Sequence, residues 1–233
     1  MVESVVNPPA AAYSEVEKSA IYRVIRERRD VRSGYLPTPL DDATLRRILT
    51  AAHHAPSVGF MQPWRFIVVR DLSVRNAAHE IFLRANAAAA AGYSGEQRET
   101  YSRLKLEGLR EAPQHLCVVC DSASERGHRL GRASMPETPF CSVVCAIQNL
   151  WLAARAEGVG VGWVSILEPS EVKLLLRIPS EAELVAYLCL GYVDGFAPLP
   201  DLERNSWEER ADLASLVRAD SYDQPYSFAK TER

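Results

Sequence analysis

The chain has 233 residues, a formal net charge of -3 and 47% hydrophobic residues. This length fits one large domain or two small ones, and a core of this size needs no disulfide or metal to hold it. The small net charge argues against a general binder of nucleic acids or membrane surfaces.

Residues 1–14 lack the apolar stretch of a secretory signal and contain adjacent prolines and alanines, so we predict a disordered or extended lead-in. Residues 14–28 have apolar side chains at helical spacing, which predicts a first amphipathic helix. Asp41 or Asp42 is expected to cap a second helix that runs to about His54.

Three arginines, Arg28, Arg29 and Arg32, lie within five residues at the end of the first helix. Because a guanidinium matches the geometry of a phosphate, the cluster is a candidate phosphate site. The alternative is a solvated basic helix end that interacts with the helix dipole. Asp30 lies inside the cluster and would repel a phosphate. It therefore pairs with an arginine or faces another part of a ligand, as a candidate acid or base.

The stretch 55–66 cannot continue the second helix, because Pro56 and Pro63 each remove a backbone N–H. The loop is nevertheless rich in apolar side chains and carries one hydroxyl, Ser57, and one amide, Gln62. This composition suits a flat ligand with polar edges. The alternative is a packed connection in which the tryptophan of the loop fills the core.

The rest of the chain alternates between helical and strand-like patterns. We predict strands over 66–69, 116–120, 160–166 and 184–192, and helices over 74–91, 96–110, 140–157 and a short stretch from Pro169. The charged helix at 96–110 is either a mobile cover over a site or a solvated surface helix. The tail after Pro198 is polar with few apolar anchors, so we expect it to wrap a neighbouring surface.

The segment 140–157 is apolar on nearly every side, which predicts a helix buried on every face, either central or at a dimer interface. It carries Cys141 and Cys145, one helical turn apart. Cys117 and Cys120 lie three apart in a strand, point to opposite faces and make a poor metal clip. We therefore predict buried, reduced thiols in a cytoplasmic protein, and no metal site.

Two glycines in the strand at 160–166 are expected to let another segment approach closely. Ser165 follows them and can hydrogen-bond either a ligand ring or a neighbouring strand. The chain has no GxSxG elbow, no dinucleotide fingerprint after a strand and no Walker A motif. A Ser-His-Asp triad and a glycine-rich phosphate loop are therefore not indicated.

Over roughly residues 15–220, these segments together resemble the nitroreductase-like flavoprotein superfamily. Its RRSxR phosphate motif resembles Arg28-Arg29-Asp30-Val31-Arg32, its APS…QPW loop resembles residues 55–64, its GxGxxW segment resembles residues 158–163, and a late phosphate-binding arginine is similar to Arg210. Asp30 stands where the superfamily usually has serine, and Phe60 where it usually has asparagine. Both departures resemble a branch of the superfamily that consumes its flavin.

The resemblance implies an α+β fold with a central mixed, mostly antiparallel sheet flanked by helices. It also implies an intertwined homodimer with flavin sites at the subunit interface. The implied reaction is the O2-dependent fragmentation of reduced FMN to 5,6-dimethylbenzimidazole, the lower ligand of vitamin B12, with release of erythrose 4-phosphate. FMN is then a substrate, which a separate flavin reductase supplies in reduced form at the expense of NAD(P)H.

The site residues that the resemblance implies fall into two groups. The FMN phosphate is assigned to four arginines, Arg28, Arg29, Arg32 and Arg210. The rest of the flavin is assigned to Asp30, Val31, Ser57, Gln62, Leu106 and Ser165. Asp30 is expected to move protons at the ribityl carbon next to the ring, and Ser165 to donate to the flavin or to oxygen. Phe60 and Met61 are expected to shield the reacting flavin from water.

Two other functions stay open. One is an NAD(P)H-dependent nitroreductase or flavin reductase that recycles FMN as a cofactor. The other is a non-catalytic flavin-binding protein. In each case we expect one flavin-binding domain over residues 15–220, followed by a tail at 221–233.

Overall fold

The structure is a computed structural model that describes residues 13–228. Nearly all of the predicted lead-in and the last part of the predicted tail lie outside the described residues. The described part contains these elements: α1 (Glu15–Glu27), α2 (Asp42–His53), β1 (Trp64–Val69), α3 (Leu72–Ala91), α4 (Gly95–Arg103), β2 (Gln114–Cys120), α5 (Thr138–Ala156), β3 (Val159–Val164), α6 (Pro169–Leu175), β4 (Glu183–Tyr192) and α7 (Asp201–Arg204). Between residues 13 and 228, no helix is long and apolar enough to span a bilayer.

The four strands form one sheet in the order β1-β2-β4-β3, and every neighbouring pair is antiparallel. A single parallel bridge between Asp30 and Val161 adds the segment after α1 to the outer side of β3. Helices α2 and α5 cover one face of the sheet, and α3 and α6 cover the other. This architecture confirms the expected α+β fold with a mostly antiparallel sheet between helices.

Strand β2 is buried along its whole length and supplies side chains to both faces of the sheet. Leu116 and Cys120 belong to the apolar cluster under α2 and α5, whereas Cys117 belongs to the cluster under α3 and α6. The two cysteines therefore face opposite sides, as their spacing predicts. Burial raises the pKa of each thiol to about 12, so both are unreactive thiols of the core.

The starts of the first two helices are set by side-chain caps. Ser14 and Glu17 form a reciprocal capping box at α1. Asp41 accepts a 2.8 Å hydrogen bond from the Thr44 N–H at α2. The hydrogen bonds that the Thr44 N–H and hydroxyl donate to this carboxylate lower the pKa of Asp41 to about 2. Both helices lie where the sequence predicts them.

The charged helix α4 is shorter than predicted and ends at Arg103 rather than at about residue 110. Leu104 takes an extended backbone, and the side chain of the buried Glu107 accepts a hydrogen bond from the Leu109 N–H in the turn that follows. The side chain of Glu107 thus replaces helical backbone bonds in this turn. The carbonyl of Lys105 is left free to accept a hydrogen bond from another segment.

The burial of α5 on every face, predicted from its composition, is wrong for the single chain. Val143, Ala146 and Leu150 are fully buried against the sheet, but Cys141 and Cys145 are exposed on another side of the helix. The prediction of buried thiols therefore holds for Cys117, Cys120 and Cys189 and fails for these two. The alternative, that α5 lies at a dimer interface, stays a prediction.

The chain after Pro198 is polar and mostly exposed, as predicted. Its main aromatic anchor is Trp207, whose ring lies edge-on to Tyr93 at 5.5 Å and to Tyr101 at 6.2 Å between centroids. Tyr101 is the buried side chain of α4, and its hydroxyl donates to Asn86 at 2.7 Å. The tail is thus attached to α4 and to the connection between α3 and α4.

The glycines of β3 allow the segment after α1 to lie directly on the strand, as predicted. A Cβ on Gly162 would come within 2.1 Å of the Val31 carbonyl oxygen, and a Cβ on Gly160 would meet the Val31 side chain at 3.1 Å. The Val31 N–H donates to the Val161 carbonyl at 3.0 Å. Side chains at these two positions would push residues 30–32 off the strand.

We expect Gly162→Ala to destabilise the protein by about 1–3 kcal/mol, since the added methyl group meets backbone that cannot move aside. Urea denaturation measures this change. Gly195→Ala is the matched control, because a Cβ at Gly195 has no neighbour within 4 Å. Equal stability of the Gly162→Ala variant and the wild type would contradict the close approach of Val31.

Candidate functional site

The arginine-rich segment leaves α1 in an extended conformation and crosses the edge of β3. Besides the Val31 bond to Val161, the Asp30 carboxylate accepts a 2.8 Å hydrogen bond from the Trp163 N–H. The hydroxyl of Tyr35, a residue that the sequence did not single out, donates to the Val31 carbonyl at 2.9 Å. These bonds fix the position of residues 30–32 relative to the sheet.

Asp30 pairs with Arg32, which is one of the two arrangements left open by the sequence. Nε and Nη2 of Arg32 donate to the same carboxylate oxygen of Asp30 at 3.0 and 2.7 Å, and Trp163 donates to the other oxygen. The Asp30 side chain is 28% exposed and the Arg32 side chain 14%, so the pair is largely shielded from solvent but still accessible. A second bond, from Nη1 of Arg32 to the Lys105 carbonyl at 3.3 Å, brings the turn with Leu106 to this site.

Arg29 lines the same cavity as Arg28 and Asp30, but its guanidinium is bonded to protein carbonyls. Its Nη1 donates to the carbonyls of Arg26 and Arg28, both at 2.7 Å, and its Nε donates to Ala197 at 3.0 Å. Nη2 donates to Pro198. Four of its five N–H groups are therefore used within the protein.

Arg28 and Arg210 have no ion-pair partner within residues 13–228, and both line one cavity of about 830 Å³. The Arg28 guanidinium lies over the Trp151 ring, 4.8 Å from its centroid. Burial lowers the pKa of Arg28, Asp30 opposes that effect, and the positive charges of Arg29 and Arg210 lower it further. Two unneutralised guanidinium groups at one cavity form a donor set that fits a phosphate.

The cavity also contains the carboxylate of the predicted site. Asp30 and Arg32 line it together with the arginines, and Gln148 of α5 adds an amide. Ser165 follows the end of β3, two residues after Trp163, and its side chain is exposed. The cavity thus brings the cationic groups together with the carboxylates of Asp30, Asp201 and Glu203, whereas Ser165 lies outside its lining.

Ser57 and Gln62 lie apart from this cavity in the single chain. The Ser57 hydroxyl accepts a 3.1 Å bond from the Gln62 N–H, and the Gln62 side-chain oxygen accepts a 3.0 Å bond from Arg126. Gln62 and Arg126 line a second cavity, of about 730 Å³, between α2 and β1. The residues predicted to form one site therefore occupy two separate places on one chain.

The loop that carries Ser57 and Gln62 is tightly built. It makes one 3-10 turn, Val58–Phe60, and both Phe60 and Gln62 have positive φ angles, which side-chain-bearing residues rarely adopt. Trp64 at its end is buried in the core and donates to His53 at 3.1 Å. The loop therefore packs into the core through Trp64 and also presents the polar side chain of Gln62 to a cavity.

The expected roles of Phe60 and Met61 as shields do not fit the single chain. Phe60 is 74% exposed and Met61 is 1% exposed, so one faces solvent and the other fills the core. Two residues that the sequence did not single out also belong here: Arg126, which donates to Gln62, and Trp151, which lies under Arg28. The basic loop around Arg126 was a visible signal, whereas Trp151 looked like one more apolar residue of α5.

The chain as a whole is similar to known proteins. The profile of the nitroreductase family matches residues 25–192, and the chain belongs to that family. It is 52% identical over 183 residues to a 5,6-dimethylbenzimidazole synthase of Rhodospirillum rubrum, covering 78% of this chain and 86% of that protein. It is 43% identical over 197 residues to a protein of the same name from Rhodobacter capsulatus, covering 84% and 95%.

A solved structure has a similar fold. The crystal structure of iodotyrosine deiodinase bound to FMN and 3-iodo-L-tyrosine matches with a TM-score of 0.69 and 25% identity. The match covers 87% of this chain and 100% of that one. A protein with this fold therefore binds FMN.

Proposed function

We propose that the chain is a 5,6-dimethylbenzimidazole synthase, which breaks reduced FMN with O2 and releases erythrose 4-phosphate. The observation that carries the proposal is the cavity that places Asp30 beside two free arginines, Arg28 and Arg210. A phosphate ester held by the arginines brings its carbon chain to a carboxylate. The names of two relatives at 52% and 43% identity support this reading.

In this proposal, the FMN phosphate binds Arg28 and Arg210, and the flavin ring lies toward the end of β3. Val31 and Leu106 contact the ring through their backbones, and the Ser165 hydroxyl donates to the flavin or to the bound oxygen. Asp30 moves a proton at the ribityl carbon next to the ring. That carbon ends in the benzimidazole, and the remaining four carbons with the phosphate make up erythrose 4-phosphate.

The contacts of Asp30 support its role. Both of its oxygens accept N–H bonds, so the group that we propose to move the proton is fixed in place. Arg32 and the Trp163 N–H keep it in one orientation. Arg32 is thereby assigned to Asp30 rather than to the phosphate.

We further propose that Ser57 and Gln62 reach the flavin from a second copy of the chain, in an intertwined homodimer. Their separation from Arg28 in the single chain supports this arrangement. The exposed side of α5, with Cys141 and Cys145, is then covered by the second copy. Phe60, exposed in one chain, would shield the flavin of the other.

The proposal includes a supply of reduced FMN from a separate flavin reductase that uses NAD(P)H, in the cytoplasm. Oxygen is the co-substrate. Residues 1–14 and 221–233 are assigned to a lead-in and a tail outside the flavin domain at 15–220. Partners such as nucleic acids or membranes have no part in it.

A single-turnover experiment tests this function. The protein is loaded with FMN, reduced without oxygen, exposed to air, and its products are separated by chromatography. Loss of FMN with formation of dimethylbenzimidazole supports the proposal. If FMN returns intact, steady NAD(P)H oxidation with an electron acceptor would indicate a nitroreductase or flavin reductase, and its absence a flavin carrier.

The phosphate assignment makes its own prediction. Arg28→Gln should weaken FMN binding about tenfold or more, because one charge-assisted hydrogen bond contributes about 1.5–3 kcal/mol. Riboflavin, which lacks the phosphate, should bind as well as it does to the wild type. Fluorescence titration with both flavins measures the difference.

Arg23→Gln is the matched control, since Arg23 lies on α1 outside the cavity. Equal losses for FMN and riboflavin in the Arg28→Gln variant would show that Arg28 does not bind the phosphate.

A further inference from the structure

We propose that Arg29 is a positioning residue that ties the C-terminal wall of the cavity, residues 199–210, to the end of α1. Through this tie, Arg29 places Arg210 beside Arg28. The proposal rests on the proposed function, because it assigns Arg29 an indirect part in phosphate binding.

The contacts of Arg29 join two distant parts of the chain. Its Nε and Nη2 donate to the carbonyls of Ala197 and Pro198, which lie 168 and 169 positions further along the chain. Its Nη1 donates to Arg26 and Arg28 at the end of α1. One guanidinium therefore holds both backbones at once and has one N–H left.

The C-terminal wall begins directly after these two carbonyls. Leu199, Pro200, Leu202 and Arg210 line the same cavity as Arg28. Prolines at 198 and 200 restrict the backbone at the start of the wall. Pro198 thus lies at the start of the segment that carries Arg210.

Two further observations indicate why this wall needs an attachment. Arg28 and Arg210 carry like charges at one cavity, so an untied wall would move away in the absence of a phosphate. The other attachment of the wall is Trp207, against Tyr93 and Tyr101. Arg29 and Trp207 thus hold the wall near its two ends.

A double-mutant cycle in FMN binding tests the proposal. Arg29→Gln and Arg210→Gln should each weaken FMN binding about tenfold, by loss or misplacement of one charge-assisted contact. The double variant should bind FMN no more weakly than Arg210→Gln alone, because Arg29 acts through Arg210. Losses that multiply to about 100-fold would show an independent contact, and an unchanged affinity in Arg29→Gln would also overturn the proposal.

Hydrogen exchange without flavin gives a second readout that does not depend on the proposed function. Backbone amides of residues 199–210 should exchange faster in Arg29→Gln than in the wild type, and Arg29→Lys should restore part of the protection. Trp207→Ala is the matched variant that releases the other end. If Arg210→Gln leaves FMN binding unchanged, the proposed phosphate role of Arg210 fails, the single-turnover experiment still decides the function, and exchange alone decides the tie. Unchanged exchange in Arg29→Gln would refute the tie. If Arg29→Gln does not fold, Arg29→Lys replaces it in both the FMN-binding and the hydrogen-exchange measurements.

Discussion

Replacing Asp30 with asparagine should lower the single-turnover yield of dimethylbenzimidazole about 100-fold or more, the size expected for loss of a general acid or base. FMN binding should stay close to that of the wild type. The amide oxygen of asparagine can still accept the Trp163 N–H bond, so residues 30–32 stay docked on β3. The amide cannot take up the proton from the ribityl carbon. Product chromatography after admission of air measures the yield, and fluorescence titration measures the binding.

Two further variants complete this experiment. Ser165→Gly should also lower the yield while sparing FMN binding, since it removes a hydroxyl donor and no phosphate contact. Asp194→Asn is the matched control, because this carboxylate lies near Gly34 and does not line the cavity with Arg28. Wild-type yields in both Asp30→Asn and Ser165→Gly would remove the proposed roles of these residues.

Acidification should destabilise the fold through His115, a fully buried residue of β2. Its Nδ1 meets the Tyr187 hydroxyl at 2.9 Å and its Nε2 the Leu109 carbonyl at 3.0 Å, an arrangement that suits the neutral ring. Burial lowers the pKa of His115 to about 4, and Arg75 contributes to the shift. Because the unfolded chain binds this proton near pH 6.5, stability falls as pH drops from 6.5 to about 4.

The expected loss is about 3 kcal/mol over that range, at about 1.4 kcal/mol for each unit of pKa difference. Urea denaturation at several pH values and one protein concentration measures it. In a His115→Gln variant the stability should be lower near neutral pH, and this part of the pH dependence should disappear. His54→Gln, at an exposed histidine, is the control. Parallel stability curves for wild type and His115→Gln would contradict the assignment.

Local patterns were sufficient to predict much of the fold. Caps and apolar spacing place α1 and α2 correctly, because both signals act within a few residues. The end of α4 was missed because Glu107 binds the Leu109 N–H in a turn that resembles a continued helix in composition. The exposed side of α5 was missed because composition records apolar character and not the presence of a neighbour.

The candidate site was predictable in its residue types and less so in its arrangement. The arginine motif indicated a phosphate site, but the bonds of Arg29 to Ala197 and Pro198 join residues that no local pattern connects. Likewise, no spacing in the sequence shows that Ser57 lies away from the cavity of Arg28. Contacts between distant segments depend on how the elements pack, and the structure is needed to see them.

The docking of residues 30–32 also protects an otherwise open edge of the sheet. Strand β3 is the outermost strand beside β4, and unpaired N–H and C=O groups on such an edge can recruit strands from other molecules. Val31 pairs with the Val161 carbonyl, and Asp30 covers the Trp163 N–H. The segment assigned to flavin chemistry therefore also covers part of an edge that could recruit other strands. Changes that detach it from β3 are expected to make the protein less soluble as well as less active.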